Sequence, residues 1–376
     1  MVSGASIVRT ALTSAAFAAA LFACTLTRSL DYLTAGVGGE LDGGDGGGGG
    51  GGGTDAPGGS GGGTGDTIAS GQLGPRNLTQ DDANLYWSNA DGAIMTAPKA
   101  GGAARKIASA PPRAEIRWLS ADPGTGGHLW VIAGPAVHRV SKEGGELELV
   151  EDETPMPHAL AVDDDYLFVA HFEEFGMEFG RLVRFSKRQL SNRVVLSDAN
   201  DEPAAVALHG GSVFWSGLLP NGARVVFEVP RDASAGAGAR AKVYGAPEDD
   251  GQFTLIWPDT AAGFAVDDEA VYYLELEEGA VIYRLPRDEG ATPTEIFAPP
   301  REGKPRGFAF DGTNLYVVDE RENGAIVRVP KKGGDFAPIA SNLRVPTSVV
   351  ADSSFVYFTV QGSGYEPDGA VLRAAK

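Results

Sequence analysis

The chain has 376 residues and carries 31 Lys and Arg against 50 Asp and Glu, a formal charge of −19. That sign argues against nucleic acid and against electrostatic attraction to anionic lipid heads, both of which need a basic surface. One cysteine, Cys24, leaves no internal disulfide framework.

The amino terminus reads as an export signal. Arg9 is the only charge before Cys24, and Thr10 to Ala23 are small and apolar. This is a short positive region followed by an apolar stretch too short to span a bilayer permanently. Leu21-Phe22-Ala23-Cys24 resembles a bacterial lipobox. The resemblance implies that residues 1–23 are a lipoprotein signal peptide and that Cys24 is acylated and becomes the first mature residue. Thr25, where the inner-membrane variant of that pattern has Asp, points to the outer membrane. Ordinary cleavage near Ala23 and an uncleaved anchor are the alternatives.

Residues 24–66 are expected to form a flexible, lipid-anchored tether. The run from Gly43 to Gly65 is mostly glycine, which loses the most entropy on ordering and offers nothing to bury. Such a coil spans roughly 35 Å root-mean-square. Its GxG patterns follow no strand and precede no helix, so they do not read as a phosphate loop.

From residue 67 onward the chain repeats. A turn and an aromatic strand recur as DDANLYW (Asp81 to Trp87), DDDYLFV (Asp163 to Val169), HGGSVFW (His209 to Trp215), DDEAVYY (Asp267 to Tyr273), DGTNLYV (Asp311 to Val317) and DSSFVYF (Asp352 to Phe358). A further copy, Asp122 to Trp130, carries a small insertion. The spacings are 41, 41, 46, 58, 44 and 41 residues, the size of a propeller blade. A strand ending in Pro-Lys or similar follows, as in Gly92 to Lys99, Gly180 to Lys187 and Gly324 to Lys331. It alternates apolar and polar residues, the period of a half-buried strand.

Four strands in each of seven units predict an all-β, seven-bladed β-propeller over residues 67–376, with six or eight blades as the alternative. The chain stops after the third strand of its last unit. Thr67-Ile68-Ala69-Ser70 matches two fourth strands, Lys106-Ile107-Ala108-Ser109 and Pro338-Ile339-Ala340-Ser341. Residues 67–70 are therefore expected to complete the last blade and close the ring.

Leu85-Tyr86-Trp87-Ser88-Asn89, followed by Gly92-Ala93-Ile94, resembles the YWTD repeat of receptor propellers. That motif is nowhere complete, and the YWTD family builds six blades. The chain equally resembles NHL-type bacterial propellers. These likenesses imply a fold and no function.

The residue patterns favour binding over catalysis. The repeated turn Asp residues read as caps of tight turns, since none has the DxDxDG spacing of a calcium loop. The strand aromatics Tyr86, Phe168, Phe214, Tyr272, Tyr316 and Tyr357 read as core. His128, His138, His158, His171 and His209 form no HxH, HExxH or HxxxH pair, and no GxSxG occurs. No metal or other cofactor and no catalytic residue is assigned.

Loops of one face are expected to be acidic, and the opposite face to collect Lys99, Lys142, Lys187, Arg188, Arg231, Arg287, Lys331 and Lys332. Two acidic loops also carry aromatic or sulfur-bearing side chains: Phe172, Glu173, Glu174, Phe175 and Met177 in one, Phe253 and Trp257 in the other. Exposed aromatics in long loops suit recognition, while self-packing within the loop is the competing reading. The expectation is a monomeric binding or scaffold propeller in the cell envelope, touching the membrane only through its lipid. Its partner would be an envelope protein or a saccharide. The alternative is a propeller enzyme, a metal-dependent hydrolase, lactonase or lyase.

Overall fold

The computed structural model describes residues 65–152, 156–171, 180–197, 203–219, 224–245, 263–276, 280–288, 290–300 and 302–376. Residues 24–64 of the expected tether, Cys24 among them, lie outside the described residues, as do Phe172, Glu173, Glu174, Phe175, Met177, Phe253 and Trp257. Asp66, counted with the tether, is the first residue of a strand.

Twenty-eight strands form seven antiparallel four-stranded sheets. Blade 1 holds β2 (Arg76–Gln80), β3 (Asn84–Ser88), β4 (Ala93–Pro98) and β5 (Arg105–Ser109). Blade 2 holds β6 (Ile116–Ala121), β7 (His128–Ala133), β8 (Ala136–Ser141) and β9 (Glu148–Glu151). Blade 3 holds β10 (Pro157–Val162), β11 (Tyr166–His171), β12 (Arg181–Ser186) and β13 (Gln189–Val195). Blade 4 holds β14 (Val206–His209), β15 (Ser212–Leu218), β16 (Arg224–Pro230) and β17 (Lys242–Tyr244). Blade 5 holds β18 (Phe264–Val266), β19 (Ala270–Glu275), β20 (Val281–Pro286) and β21 (Thr294–Phe297). Blade 6 holds β22 (Pro305–Phe310), β23 (Asn314–Asp319), β24 (Gly324–Pro330) and β25 (Ala337–Leu343). Blade 7 takes β26 (Pro346–Ala351), β27 (Phe355–Val360) and β28 (Gly369–Ala375) from the carboxyl end. Its outer strand is β1 (Asp66–Gln72), whose Thr67 pairs with Leu372 and Ala69 with Val371.

The first strand of each blade neighbours the first strands of the blades on either side, so these strands ring a central axis. The second strands are buried almost end to end, as in β11 and β27. Neighbouring blades cover both of their faces, which explains why they read as continuous apolar runs. Outer strands such as β13 are largely exposed.

The core is divided rather than single. One apolar cluster sits at each blade boundary. Trp130 and Ile132 of blade 2 pack on Leu160 and Val169 of blade 3. Trp87 of blade 1 packs with Tyr357 and Val371 of blade 7 and with Ile68 of β1. Each fully buried large side chain contributes roughly 1.5–3 kcal/mol, so every boundary is a substantial apolar interface. The six strand aromatics are all buried.

Candidate functional site

Strands alternate direction, so the ring has two faces. The turns between first and second strands share one face with the ends of the third strands. On this face the turn Asp does the local work expected of it. Asp81 Oδ1 accepts the backbone N–H of Ala83 and of Asn84, at 2.9 and 2.7 Å. Asp163, Asp267, Asp311 and Asp352 repeat that geometry.

The second carboxylate oxygen does something the repeat did not reveal. It takes a cation from the end of the third strand of the next blade. Lys142 reaches Asp81, Lys187 reaches Asp122, Arg231 reaches Asp163, Lys331 reaches Asp267 and Lys376 reaches Asp311, at 2.7–3.0 Å. Lys99 reaches Asp352 at 3.4 Å and closes the circuit from blade 1 to blade 7. In blade 4, His209 stands where the Asp would be. There Glu228 of β16 receives Arg287 instead, at 3.2 Å. The cation also lies over the strand aromatic of the blade it grips, as Lys142 does over Tyr86 and Lys331 over Tyr272.

Burial raises the carboxyl pKa of Asp81, but hydrogen bonds from Tyr86, Lys142 and two backbone amides outweigh it and hold the group below its ordinary range. Asp267, Asp311 and Asp352 are lowered by the same balance of burial against hydrogen bonds. The partner phenols move the other way. Burial, with the nearby Asp352, pushes Tyr357 up to about 12.

The basic side chains expected to make this face cationic are thus consumed in clamps between blades. Arg188 and Lys332 also lie within 3.5 Å of carboxylates, those of Asp165 and Glu269. Among the described residues the third-strand cations do not leave a free basic face, because six of them end beside a turn Asp of the neighbouring blade and Arg287 ends beside Glu228. The acidic loops 172–179 and 247–259 expected on the opposite face lie outside the described residues.

The opposite face, where first strands begin and second strands end, carries arginines as well as acids. At the start of the first strand the register shifts in blades 1, 2, 3, 6 and 7. Arg117, His158, Arg306 and Thr347 are the extra residues of four of these bulges, and Arg76 opens the fifth. Bulges re-aim side chains at strand ends. Here they set basic residues around the mouth of the ring. Blade 4 has Ala204 at the equivalent place.

Several acids of this face are paired with its own arginines. Arg306 meets Glu320 at 2.8 Å and Arg321 meets Asp319 at 2.7 Å. Arg344 bridges Glu322 and Asp368 at 3.4 and 2.7 Å. His171, at the end of β11, is fully buried with Nε2 3.1 Å from Glu151 Oε2. The described histidines do not converge, and no group of three or more metal-ligating side chains gathers among the described residues.

Among the described residues an open cleft lies on this face between blades 1 and 2, with a volume of about 380 Å³. Arg76 and Asn89 stand on the blade 1 side, and Pro111, Pro112, Arg113 and Glu115 form the connection into blade 2. Main-chain hydrogen bonds fix its walls: Ala90 N–H to Leu73 O, Ala110 N–H to Gly92 O and Ala114 N–H to Pro111 O, at 2.8–3.0 Å. Asn77, at φ +52°, donates from Nδ2 to Ser88 Oγ and across the boundary to Ile116 O. Arg113 holds φ +67°, an unusual conformation for a side chain of that size. Two buried polar atoms of the cleft residues, Arg76 Nε and Asn89 Oδ1, have no hydrogen-bond partner among the described residues.

Beside the cleft stands the loop joining β27 to β28. Gly74 separates the two at close range. A Cβ there would lie 3.1 Å from Ala90 Cβ and 3.6 Å from Gly364 Cα, and its φ of +53° also demands glycine. The loop is held by Asp368 Oδ1, which accepts the Ser363 N–H and hydroxyl at 2.8 and 3.0 Å. Tyr365 projects from it, 63% exposed.

Sequence reasoning placed no binding residue here. Arg113 and Tyr365 lie in connections without a repeated motif, and Arg76 opens β2. The available signal was the recurring basic residue near the start of the first strand, as in Pro75-Arg76, Pro157-His158 and Pro305-Arg306.

No known protein family matches the chain, and no curated protein resembles it in sequence. Its fold is shared with solved structures. A catalytically inactive variant of virginiamycin B lyase from Staphylococcus aureus, solved with quinupristin, superposes with a TM-score of 0.56 at 14% identity. That match covers 82% of this chain and 98% of that one. Ycf48 from Cyanidioschyzon merolae gives a TM-score of 0.55 at 10% identity, with the same coverage. Ycf48 bound to a D1 peptide gives 0.50 at 11% identity, covering 82% of this chain and 93% of that one. Identities this low show the seven-bladed architecture alone, which serves binding scaffolds and a lyase alike.

Proposed function

We propose that this chain is a binding or scaffold propeller, held outside the cytoplasm by a lipid on Cys24, that presents the mouth face of its ring to a protein of the cell envelope. The observation that carries this reading is the division of labour between the faces. One face commits its cations to clamps between blades. The other holds a cleft, the basic bulge residues Arg117, His158 and Arg306, and an exposed tyrosine on a braced loop. Rigid aromatic and arginine side chains supply most of the energy in protein recognition. The Ycf48 structure with a D1 peptide is a precedent for peptide binding by this architecture. Phe172, Phe175, Met177, Phe253 and Trp257, which lie outside the described residues, stay candidates for contact with the same partner on the strength of their sequence. In this reading the propeller is a monomer tethered through the glycine-rich run, at the outer membrane.

The test is photo-crosslinking in cells that make the protein. A crosslinking amino acid in place of Tyr365 should yield a defined adduct. The same group in place of Lys332, on the clamp face, should not. Replacement of residues 172–179 by a short Gly-Ser turn should reduce the adduct. Equal adducts from both faces, or none from position 365, would refute the assignment of the face.

A further inference from the structure

We infer that the cleft between blades 1 and 2 receives a carboxylate-bearing peptide segment, with Arg76 and Arg113 as its cationic contacts and Asn89 as the acceptor for a ligand N–H. This rests on the reading of the mouth face as a binding surface and specifies its ligand.

The orphaned atoms give the first argument. Arg76 and Asn89 are half-buried residues that line the cleft, and their Nε donor and Oδ1 acceptor have no partner among the described residues. Both atoms are covered in the free chain, so a ligand meets them as the two side chains turn towards the cleft. A buried polar group without a partner is costly, so each gains from a complementary atom. A peptide unit brings both, a C=O for the guanidinium and an N–H for the amide oxygen. A lone inorganic anion brings only acceptors.

The second argument is the state of the charges. Arg113 is exposed and forms no ion pair among the described residues, although the chain as a whole is strongly acidic. Arg76 is paired only with Glu115, at 3.4 Å, and the Glu115 side chain is 71% exposed. Exposed pairs of this kind are weak and readily exchanged. Glu115 is therefore a local carboxylate resting where a ligand carboxylate can replace it. The remaining acid of the cleft, Asp91, accepts the Ala93 N–H at 3.0 Å and is held in its own turn. A guanidinium fork matches a carboxylate in two-point geometry. Pro111 and Pro112 supply rigid apolar walls, and the main-chain hydrogen bonds within those walls, with the Asn77 side-chain bond to Ile116 O across the boundary, keep the cleft formed before a ligand arrives.

The experiment uses the full chain and fluorescein-labelled oligo-glutamate, oligo-glutamine and oligo-lysine peptides of equal length, read by fluorescence anisotropy. The net charge of −19 repels oligo-glutamate in general, so its binding reports local cations. Oligo-glutamate should bind, and more weakly at high salt, while the other two should not. Arg113→Asn removes the cation with a residue suited to the left-handed backbone, and should weaken binding about tenfold. Arg76→Gln should do the same. Glu115→Gln should tighten binding severalfold, an effect that damage to the fold would not produce. Arg105→Gln, on the outer strand of blade 1, should leave it unchanged.

Failure of oligo-glutamate to bind, equal binding of oligo-lysine, or indifference to both arginine substitutions would overturn the inference. If position 365 still crosslinks a partner in that case, the ligand class alone is wrong. If it does not, the assignment of the face falls with it.

Discussion

The Lys142 ammonium lies 3.0 Å from Asp81 Oδ2 across the boundary between blades 1 and 2, with the two side chains 2% and 0% exposed. Lys142 Nζ also donates to the carbonyl oxygens of Asp122 and Gly124, at 2.7 and 2.5 Å. Asp81 accepts from Tyr86 and from two backbone amides. Both charges are therefore saturated, the condition under which a buried pair holds a structure together.

Removing one partner should cost far more than removing both. Asp81→Asn keeps the turn but leaves the lysine charge buried, and should destabilise by about 3–5 kcal/mol. The double variant Asp81→Asn with Lys142→Met should recover part of that loss. Denaturant unfolding of the single and double variants measures the coupling. Additive losses would show that the two groups act independently.

Acid should loosen the ring at the clamps. Asp81, Asp267, Asp311 and Asp352 have carboxyl pKa values below their ordinary range in the folded chain. The unfolded chain thus binds protons more readily, and stability falls as pH drops. The contribution is fully present above the unfolded value of about 3.9 and is lost as pH falls through the lower folded values. Thermal unfolding should show a midpoint that declines steeply below about pH 4. Asp311→Asn should lower the midpoint at neutral pH and flatten that decline.

Asn77 joins backbone strain to a contact across blades. Asn77→Ala removes the hydrogen bonds to Ser88 Oγ and Ile116 O and places alanine at φ +52°, for an expected loss of about 1–3 kcal/mol. Asn77→Gly loses the same bonds but suits the backbone, and should cost less. The order of the two unfolding midpoints checks whether backbone conformation contributes. A lower midpoint for glycine would place the whole effect in the side chain.

Asp368 should govern the Tyr365 loop more than global stability. Its carboxyl is held below the ordinary range, chiefly by the backbone N–H of Ser363. Asp368→Ala should accelerate amide hydrogen exchange at Ser363 and Glu366, with little change in the unfolding midpoint. It should also reduce crosslinking from position 365. Unchanged exchange would show that the loop is braced by other contacts.

Much of the ring was legible in the repeats, for a physical reason. Each blade must bury an aromatic second strand between its neighbours, so Tyr86, Phe168, Phe214, Tyr272, Tyr316 and Tyr357 recur at one strand position. Each tight turn before that strand is capped by a short side chain, so Asp81, Asp163, Asp267, Asp311 and Asp352 recur as well. Packing period and turn chemistry are local demands, and local demands are written as local patterns.

What joins one blade to the next is not written that way. Lys142 and Asp81 are 61 residues apart, and nothing in either segment names the other as its partner. Composition alone separated acids from bases by face, whereas the folded ring sets each third-strand cation beside an acid of its neighbour, a turn Asp for six of them and Glu228 for Arg287. The cleft is of the same kind. Arg76 opens β2, Asn89 follows β3 and Arg113 lies between β5 and β6, and only closure of blade 1 against blade 2 makes them one surface. The sequence by itself determined the blade, its number of copies and its core. The tertiary structure decided which charges are neutralised and which remain available, because pairing across a boundary depends on distance in space and not on separation along the chain.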